Sequence, residues 1–297
     1  MIGYGAWEAG GSDWGPNASE EAIVGAIRAG LDAGIDWIDT AEVYGRGVSE
    51  SLVGRAVEGR RDQVVLATKV APEPEGTGFR PEQVRAAAEG SLRRLQTDRI
   101  DLYQLHWADE GVPVEETWGA MADLQDAGLV RWLGVSNLEP EAIERCEPIR
   151  HVDSLQPEFS MLDRRHADTI RWCAARGTGV VSYGPLAYGL LTGAIDPQRL
   201  GSLGDWRDEE TEGVFAPEAA GRIAPALEGI TRASSRLGVT PAQLALAWNV
   251  QQPGVTAAIA GSRNPDHVRE NAAAGDLVPD DDTLEELDAL LLRADQA

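Results

Sequence analysis

The sequence predicts a single closed (β/α)8 TIM barrel across residues 1–297, on three observations. A helix-stop glycine recurs immediately ahead of apolar segments: Asp32-Ala33-Gly34 before residues 35–39, Asp126-Ala127-Gly128 before 129–135, and Ala175-Arg176-Gly177 before 178–182. Glycine just past a helix reaches positive φ without a Cβ penalty, so the same helix-to-strand unit repeats. Eight apolar strand patterns alternate with helical patterns, the arrangement of a parallel sheet wrapped by helices. No GxGxxG fingerprint follows the first strand, which argues against an open doubly wound sheet.

In chain order, strand patterns fall near residues 2–7, 35–40, 64–70, 100–107, 130–136, 152–157, 179–184 and 256–260. Helical patterns fall near 19–33, 49–59, 81–95, 115–127, 139–147, 165–176, 217–237, 241–251, 265–273 and 282–294. Asn17 or Ser19 ahead of Glu20-Glu21, and Ser49 ahead of Glu50, are expected to cap helix starts, where a side-chain oxygen accepts from free backbone N–H groups. Pro81 and Pro241 stand where a first helical turn tolerates proline. The stretch from Ala187 to Ala216 breaks the rhythm, being long, rich in Gly, Asp and Glu, and centred on Trp206. Long loops in compact domains are usually lids, so residues 195–216 are expected to form a mobile flap, eased by Gly201, Gly204 and Gly213.

The chain carries 49 acidic against 26 basic residues, a formal charge of −23. That field repels phosphate backbones and anionic lipid, which excludes nucleic acid and membrane as partners. Any anionic ligand then needs a local positive patch. No apolar run is long enough for a membrane span and no signal pattern opens the chain, so a cytoplasmic location is expected. Cys146 and Cys173 make neither a disulfide framework nor metal-ligand spacing, and no metal is expected.

A parallel barrel opens all its strand C-termini onto one face, where distant residues converge. Asp39, Lys69 and His106 stand at three strand ends, and Tyr44 follows Asp39 by five residues. Singly, Asp39 serves as a loop cap, Tyr44 as a rim residue and His106 as a core histidine. Lysine rarely ends an apolar strand without a partner. Together the four suit protonation of an alkoxide. An ammonium lowers the pKa of a nearby phenol, a carboxylate keeps that ammonium charged, and a neutral imidazole can donate to an oxygen gaining negative charge.

Six motifs then appear in one order: Gly3-Tyr4-Gly5-Ala6-Trp7, Asp36–Gly45 (DWIDTAEVYG), Gly47-Val48-Ser49-Glu50, Ala67-Thr68-Lys69, Asp101–Trp107 (DLYQLHW) and Gly134-Val135-Ser136-Asn137. With them the chain resembles the aldo-keto reductase family over nearly its whole length. The resemblance implies Tyr44 as general acid, Lys69 as tuner of its pKa, Asp39 as partner of Lys69, and His106 as orienter of the carbonyl. It implies direct hydride transfer from NADPH to the carbonyl carbon of an aldehyde or ketone, with a sugar-like substrate among the candidates. Members of the family usually carry a β-hairpin before the first strand. Here Ile2-Gly3-Tyr4-Gly5 already reads as that strand, so no hairpin is expected.

By the same resemblance, Gly5, Ala6 and Trp7 border the cofactor, Ser136, Asn137 and Gln156 bind its carboxamide, and Tyr183 stacks on the nicotinamide ring. Gly184, Pro185, Leu186, Gly189 and Leu191 belong to a loop covering the pyrophosphate, where small residues let backbone N–H groups approach oxygen. Ser262 and Arg263 open a helix whose N-terminus suits a 2′-phosphate. Glu270 and Asn271 match residues that hold the adenosine end. His267 stands where Arg or Gln often packs on adenine; NADPH remains the expected cofactor and NADH the alternative. Trp7, Trp107 and Tyr188 are expected to wall the substrate mouth, while Trp37, Trp118 and Trp248 are read as packing residues. Two rival readings are a Schiff-base lyase built on Lys69 and a cofactor-binding regulatory subunit of a channel. The first has no use for Ser136, Asn137, Gln156 and Arg263 together, and the second usually brings an added interaction segment. The expected partner is a small carbonyl compound, and the expected assembly a monomer or weak homo-oligomer.

Overall fold

The computed structural model describes residues 1–11, 18–71, 79–109, 111–210, 213–216 and 218–296. Eight parallel strands close into a barrel: β1 (Ile2–Gly5), β2 (Trp37–Asp39), β3 (Val65–Val70), β4 (Ile100–Leu105), β5 (Val130–Ser136), β6 (Ser154–Gln156), β7 (Gly179–Ser182) and β8 (Ala257–Ile259). Each pairs with the next in sequence, and β8 closes on β1 with Ile2 opposite Ala258 and Gly3 opposite Ile259. The TIM barrel expected from the sequence is therefore the fold.

The helices are α1 (Glu20–Asp32), α2 (Val48–Ala56), α3 (Pro81–Leu95), α4 (Val114–Asp126), α5 (Pro140–Cys146), α6 (Ala167–Ala174), α7 (Ala219–Leu237), α8 (Pro241–Gln251), α9 (Pro265–Ala273) and α10 (Asp281–Gln296). The local signals act as expected at most ends. Ser19 Oγ accepts from Ala22 N, while the alternative cap Asn17 lies outside the described residues. Pro81 and Pro241 occupy first turns. Gly34, Gly128 and Gly177 reverse the chain with φ of 94°, 75° and 81°.

Ser49 does not cap α2. Gly47, at φ 90°, holds the N-cap position instead. The Ser49 side chain is fully buried, donating to Ala6 O at 2.7 Å and bonding Thr40 Oγ1 at 2.8 Å. Tertiary partners thus take a hydroxyl that a purely local reading gives to the helix.

Inside the barrel, small residues make room for large ones. A Cβ on Gly3 would stand 2.8 Å from Trp37 Cδ1, so the indole at the base of β2 fills the space that Gly3 leaves. Residues 7–10 form a 3-10 turn after β1 and no hairpin forms over residues 1–11, while Val181, Ala257 and Ile259 form an apolar cluster with Trp37 and Tyr183 packed against it. Outside, Trp118 and Trp248 are fully buried among the helices, and Trp248 stacks on Phe159. Cys146 and Cys173 are buried too; burial pushes their thiols up to about 12 and about 11, which leaves them inert. Among the described residues no helix is long and apolar enough to cross a membrane.

Candidate active site

Strand alternation sends Asp39, Lys69, Gln104 and Gln156 into the barrel from β2, β3, β4 and β6. They meet there with almost no solvent exposure. The Lys69 ammonium has three donors and three acceptors: Asp39 Oδ1, Thr40 O at 2.9 Å and Tyr44 Oη at 3.2 Å. The other Asp39 oxygen accepts from Gln104 Nε2 at 3.0 Å and Gln156 Nε2 at 2.8 Å. A buried ion pair survives only when its remaining bonding capacity is filled, and here it is. Burial works to lower the Lys69 pKa, but the Asp39 carboxylate and the Tyr44 phenol outweigh it and hold the ammonium above its usual value.

Tyr44 reaches this group from the loop after β2, and that loop is pinned by a backbone crossing. A Cβ on Gly45 would fall 1.7 Å from Gly10 O, and Gly45 itself sits at φ 59°. Only glycine fits, so the loop of Tyr44 is clamped to the turn after β1. The phenol accepts from Lys69, which leaves its own hydrogen to donate outward. Burial pushes the Tyr44 pKa up, while Lys69 pulls it down. The expected lowering by lysine is thus present as a counterweight, and the phenol remains a neutral donor.

His106 follows β4 with its ring 5.8 Å from that of Tyr44, edge to face. Burial, then the charge of Lys69, holds its pKa well below the usual value, so the imidazole is neutral. Among the described residues its Nδ1 is buried without a hydrogen-bond partner. Trp107 packs beside it at 4.5 Å between ring centroids. Trp7 lies 6.4 Å from the Tyr44 ring and 6.1 Å from Tyr188.

Ser136, Asn137 and Tyr183 gather next to His106. Asn137, at φ 57°, donates to His106 O at 3.2 Å and to Ser136 Oγ at 3.1 Å, and accepts from the Tyr183 hydroxyl at 2.9 Å. Ser136 Oγ donates to Gln156 O at 2.8 Å. Gly184 and Gly189 turn the following loop at φ 63° and 104°, with Pro185 and Leu186 between them and Leu191 buried beyond. At the barrel seam, Gly5 and Gly261 approach so closely that a Cβ on Gly261 would lie 2.1 Å from Gly5 O. The Tyr4 hydroxyl donates to Ser262 O at 2.9 Å, which positions the turn into α9. Arg263 Nε lies 3.9 Å from Glu8 Oε2 and His267 Nδ1 lies 3.5 Å from Ser262 Oγ. Asn271 is buried on α9, and Glu270 accepts from Thr240 Oγ1 at the start of α8.

Comparison with known proteins places this geometry. The profile of the Aldo/keto reductase family matches residues 1–292. The chain belongs to the aldo/keto reductase family. It is 37% identical over 272 residues to aldo-keto reductase YhdN of Bacillus subtilis (strain 168), a match covering 89% of this chain and 81% of that protein. Its fold is similar to that of the glycerol dehydrogenase AKR11B4 from Gluconobacter oxydans, with TM-score 0.87 and 29% identity over 98% of this chain and 91% of that one. It is also similar to an aldo/keto reductase from Klebsiella pneumoniae solved in complex with NADP and acetate, with TM-score 0.77 and 35% identity over 97% and 90% of the two chains.

Two parts of this aldo/keto reductase's site escape a motif reading. Gln104 lies inside the DLYQLHW motif and faces inward like His106 two residues later; period-two alternation was the available signal. Trp206 and Phe215 come from the long segment after β7, which folds as short 3-10 turns on the mouth side rather than on the floor. Trp206 lies 5.5 Å from Trp7 and 5.2 Å from Tyr188, and Arg207 donates to Tyr188 O at 2.8 Å. Residues 211 and 212 of that segment lie outside the described residues. Only an aromatic amid polar loop residues hinted at this contact.

Proposed function

We propose that this chain reduces the carbonyl group of an aldehyde or ketone using NADPH, with residues 1–297 acting as one catalytic unit. The observation that carries the reading is the hydrogen bond from Lys69 to Tyr44, fixed by a Lys69–Asp39 pair with every ammonium hydrogen used.

The chemistry of the donor set fits a reduced nicotinamide dinucleotide. Ser136 and Asn137 present hydroxyl and amide groups beside the Tyr183 ring, with Gln156 adjoining through its carbonyl, which suits a carboxamide on a planar ring. Gly5, Gly184 and Gly189 keep backbone accessible, and Arg263 ahead of α9 supplies the positive group that an acidic chain needs for phosphate. The Klebsiella relative is solved with NADP, which supports the same choice here. When bound, the cofactor supplies the hydride.

This chain's residues then govern the proton. Tyr44 donates it to the carbonyl oxygen as negative charge develops there, and Lys69 stabilises the phenolate left behind. Neutral His106 donates a hydrogen bond to the same oxygen, which orients the carbonyl. Trp7, Trp107 and Tyr188, joined by Trp206, exclude water and present aromatic faces to an apolar or sugar-like substrate.

The test is absorbance at 340 nm with NADPH and a panel of aldehydes and ketones. Consumption of NADPH that depends on the carbonyl compound is expected. Binding of NADPH with no turnover of any compound would favour the regulatory-subunit reading and overturn this one.

A further inference from the structure

The charged cluster at the seam between β1 and β8 holds a carboxylate that the reaction does not use. Glu8 follows β1, Arg263 follows β8, and their side chains lie 3.9 Å apart with 26% and 18% exposure. The Arg263 backbone N–H also bonds Glu8. Arg207, from the segment over the mouth, and His267, on α9, add their fields to the same carboxylate. Burial nevertheless pushes the Glu8 pKa up, Arg263, Arg207 and His267 only partly countering it. One acid is therefore set among the basic groups available to an anion at this end of the groove.

We propose that Glu8 is a specificity-determining residue: in the free protein it occupies Arg263, and so weakens this chain's preference for 2′-phosphorylated over plain dinucleotide. The inference rests on the reading above that the 2′-phosphate docks at Arg263. A guanidinium that already neutralises a carboxylate gives less to an arriving phosphate, and two anions on one half-buried cation repel each other. Plain dinucleotide carries no charge at that position, so Glu8 discriminates only against the phosphorylated form.

The experiment is a double-mutant cycle read by equilibrium binding, using the quenching of tryptophan fluorescence by NADPH and by NADH. Glu8→Gln keeps the shape and removes the charge; Arg263→Ala removes the cation. Glu8→Gln is expected to tighten NADPH about fivefold, the scale of a partly exposed ion pair, and to change NADH by less than about twofold. In the Arg263→Ala background the Glu8→Gln effect should vanish. Circular dichroism and thermal melts of the free variants establish that each is folded.

Equal tightening of both cofactors would mean that Glu8 opposes their shared pyrophosphate, and overturns the proposal. Loss of NADH affinity in Glu8→Gln would mean that the carboxylate binds a ribose hydroxyl, and overturns it too. If Arg263→Ala weakens NADPH while Glu8→Gln leaves the ratio unchanged, the Glu8 proposal alone falls. If Arg263→Ala leaves NADPH unaffected, the phosphate does not dock there, and the underlying reading falls with it.

Discussion

The interior of the barrel and its seam handle charge in opposite ways. Around Lys69 every ammonium hydrogen has an acceptor and both Asp39 oxygens have donors, all buried among β2, β3, β4 and β6. At the β1–β8 seam, Glu8 and Arg263 stand 3.9 Å apart, partly open to water. The first arrangement is fixed before any ligand arrives, as proton transfer requires. The second leaves charges free to change partners, as ligand exchange requires. The buried group is fully satisfied, whereas the seam pair is loose and partly exposed.

The sharpest way to break this contrast is to remove the donor alone. Tyr44→Phe should lower carbonyl reduction by about 10²–10⁴-fold while NADPH still binds, the usual scale of general acid catalysis. Near-normal turnover in steady-state assays of that variant would separate the buried network from the reaction.

Next in size is the network itself. Asp39→Asn leaves the Lys69 ammonium buried without its carboxylate, and should destabilise the fold by about 3–5 kcal/mol. Urea unfolding measures this, and a change under about 1 kcal/mol would contradict full burial of the pair.

At the seam the effects should be smaller and confined to binding. Arg263→Ala should weaken NADPH by about 1.5–3 kcal/mol, the scale of a hydrogen bond to a charged group, with NADH little changed. Unfolding midpoints should hold steady, in contrast to Asp39→Asn.

The smallest expected effect is a pH slope. Because folded His106 resists protonation, the unfolded chain binds a proton below its ordinary value of 6.5 that the folded chain refuses. Stability therefore falls as pH drops below 6.5, by at most about 1.4 kcal/mol per unit from this group. Melting temperatures between about pH 7 and 5 should fall less steeply in His106→Gln than in the parent. Parallel slopes would place the charge balance elsewhere.

Much of this was legible without coordinates, for identifiable reasons. Helix stops at Gly34, Gly128 and Gly177 and starts at Pro81 and Pro241 are set by backbone sterics, so α3 and α8 fall at their expected residues. Asp39, Tyr44, Lys69 and His106 converge because a parallel barrel collects its strand ends on one face. What stayed hidden depends on contacts distant in sequence. Ser49 looks like a cap until Ala6 O and Thr40 arrive beside it. Gln104 looks like a strand filler until Asp39 is opposite. The net direction for Tyr44 depends on how deeply its neighbours bury it, which spacing does not reveal.

The pairing of β1 with β8 also orders events during synthesis. Ile2 and Gly3 leave the ribosome long before their partners Ala258 and Ile259 are made. Closing so long a loop adds little entropy per added residue, so the penalty falls on time, with the edge of β1 unpaired throughout. Strands β2 to β6 can bring Asp39, Lys69, Gln104 and Gln156 together well before that. Glu8 and Arg263 meet only when the seam shuts. An unfinished chain can thus gather the Asp39–Lys69 network before Glu8 and Arg263 come within reach of each other.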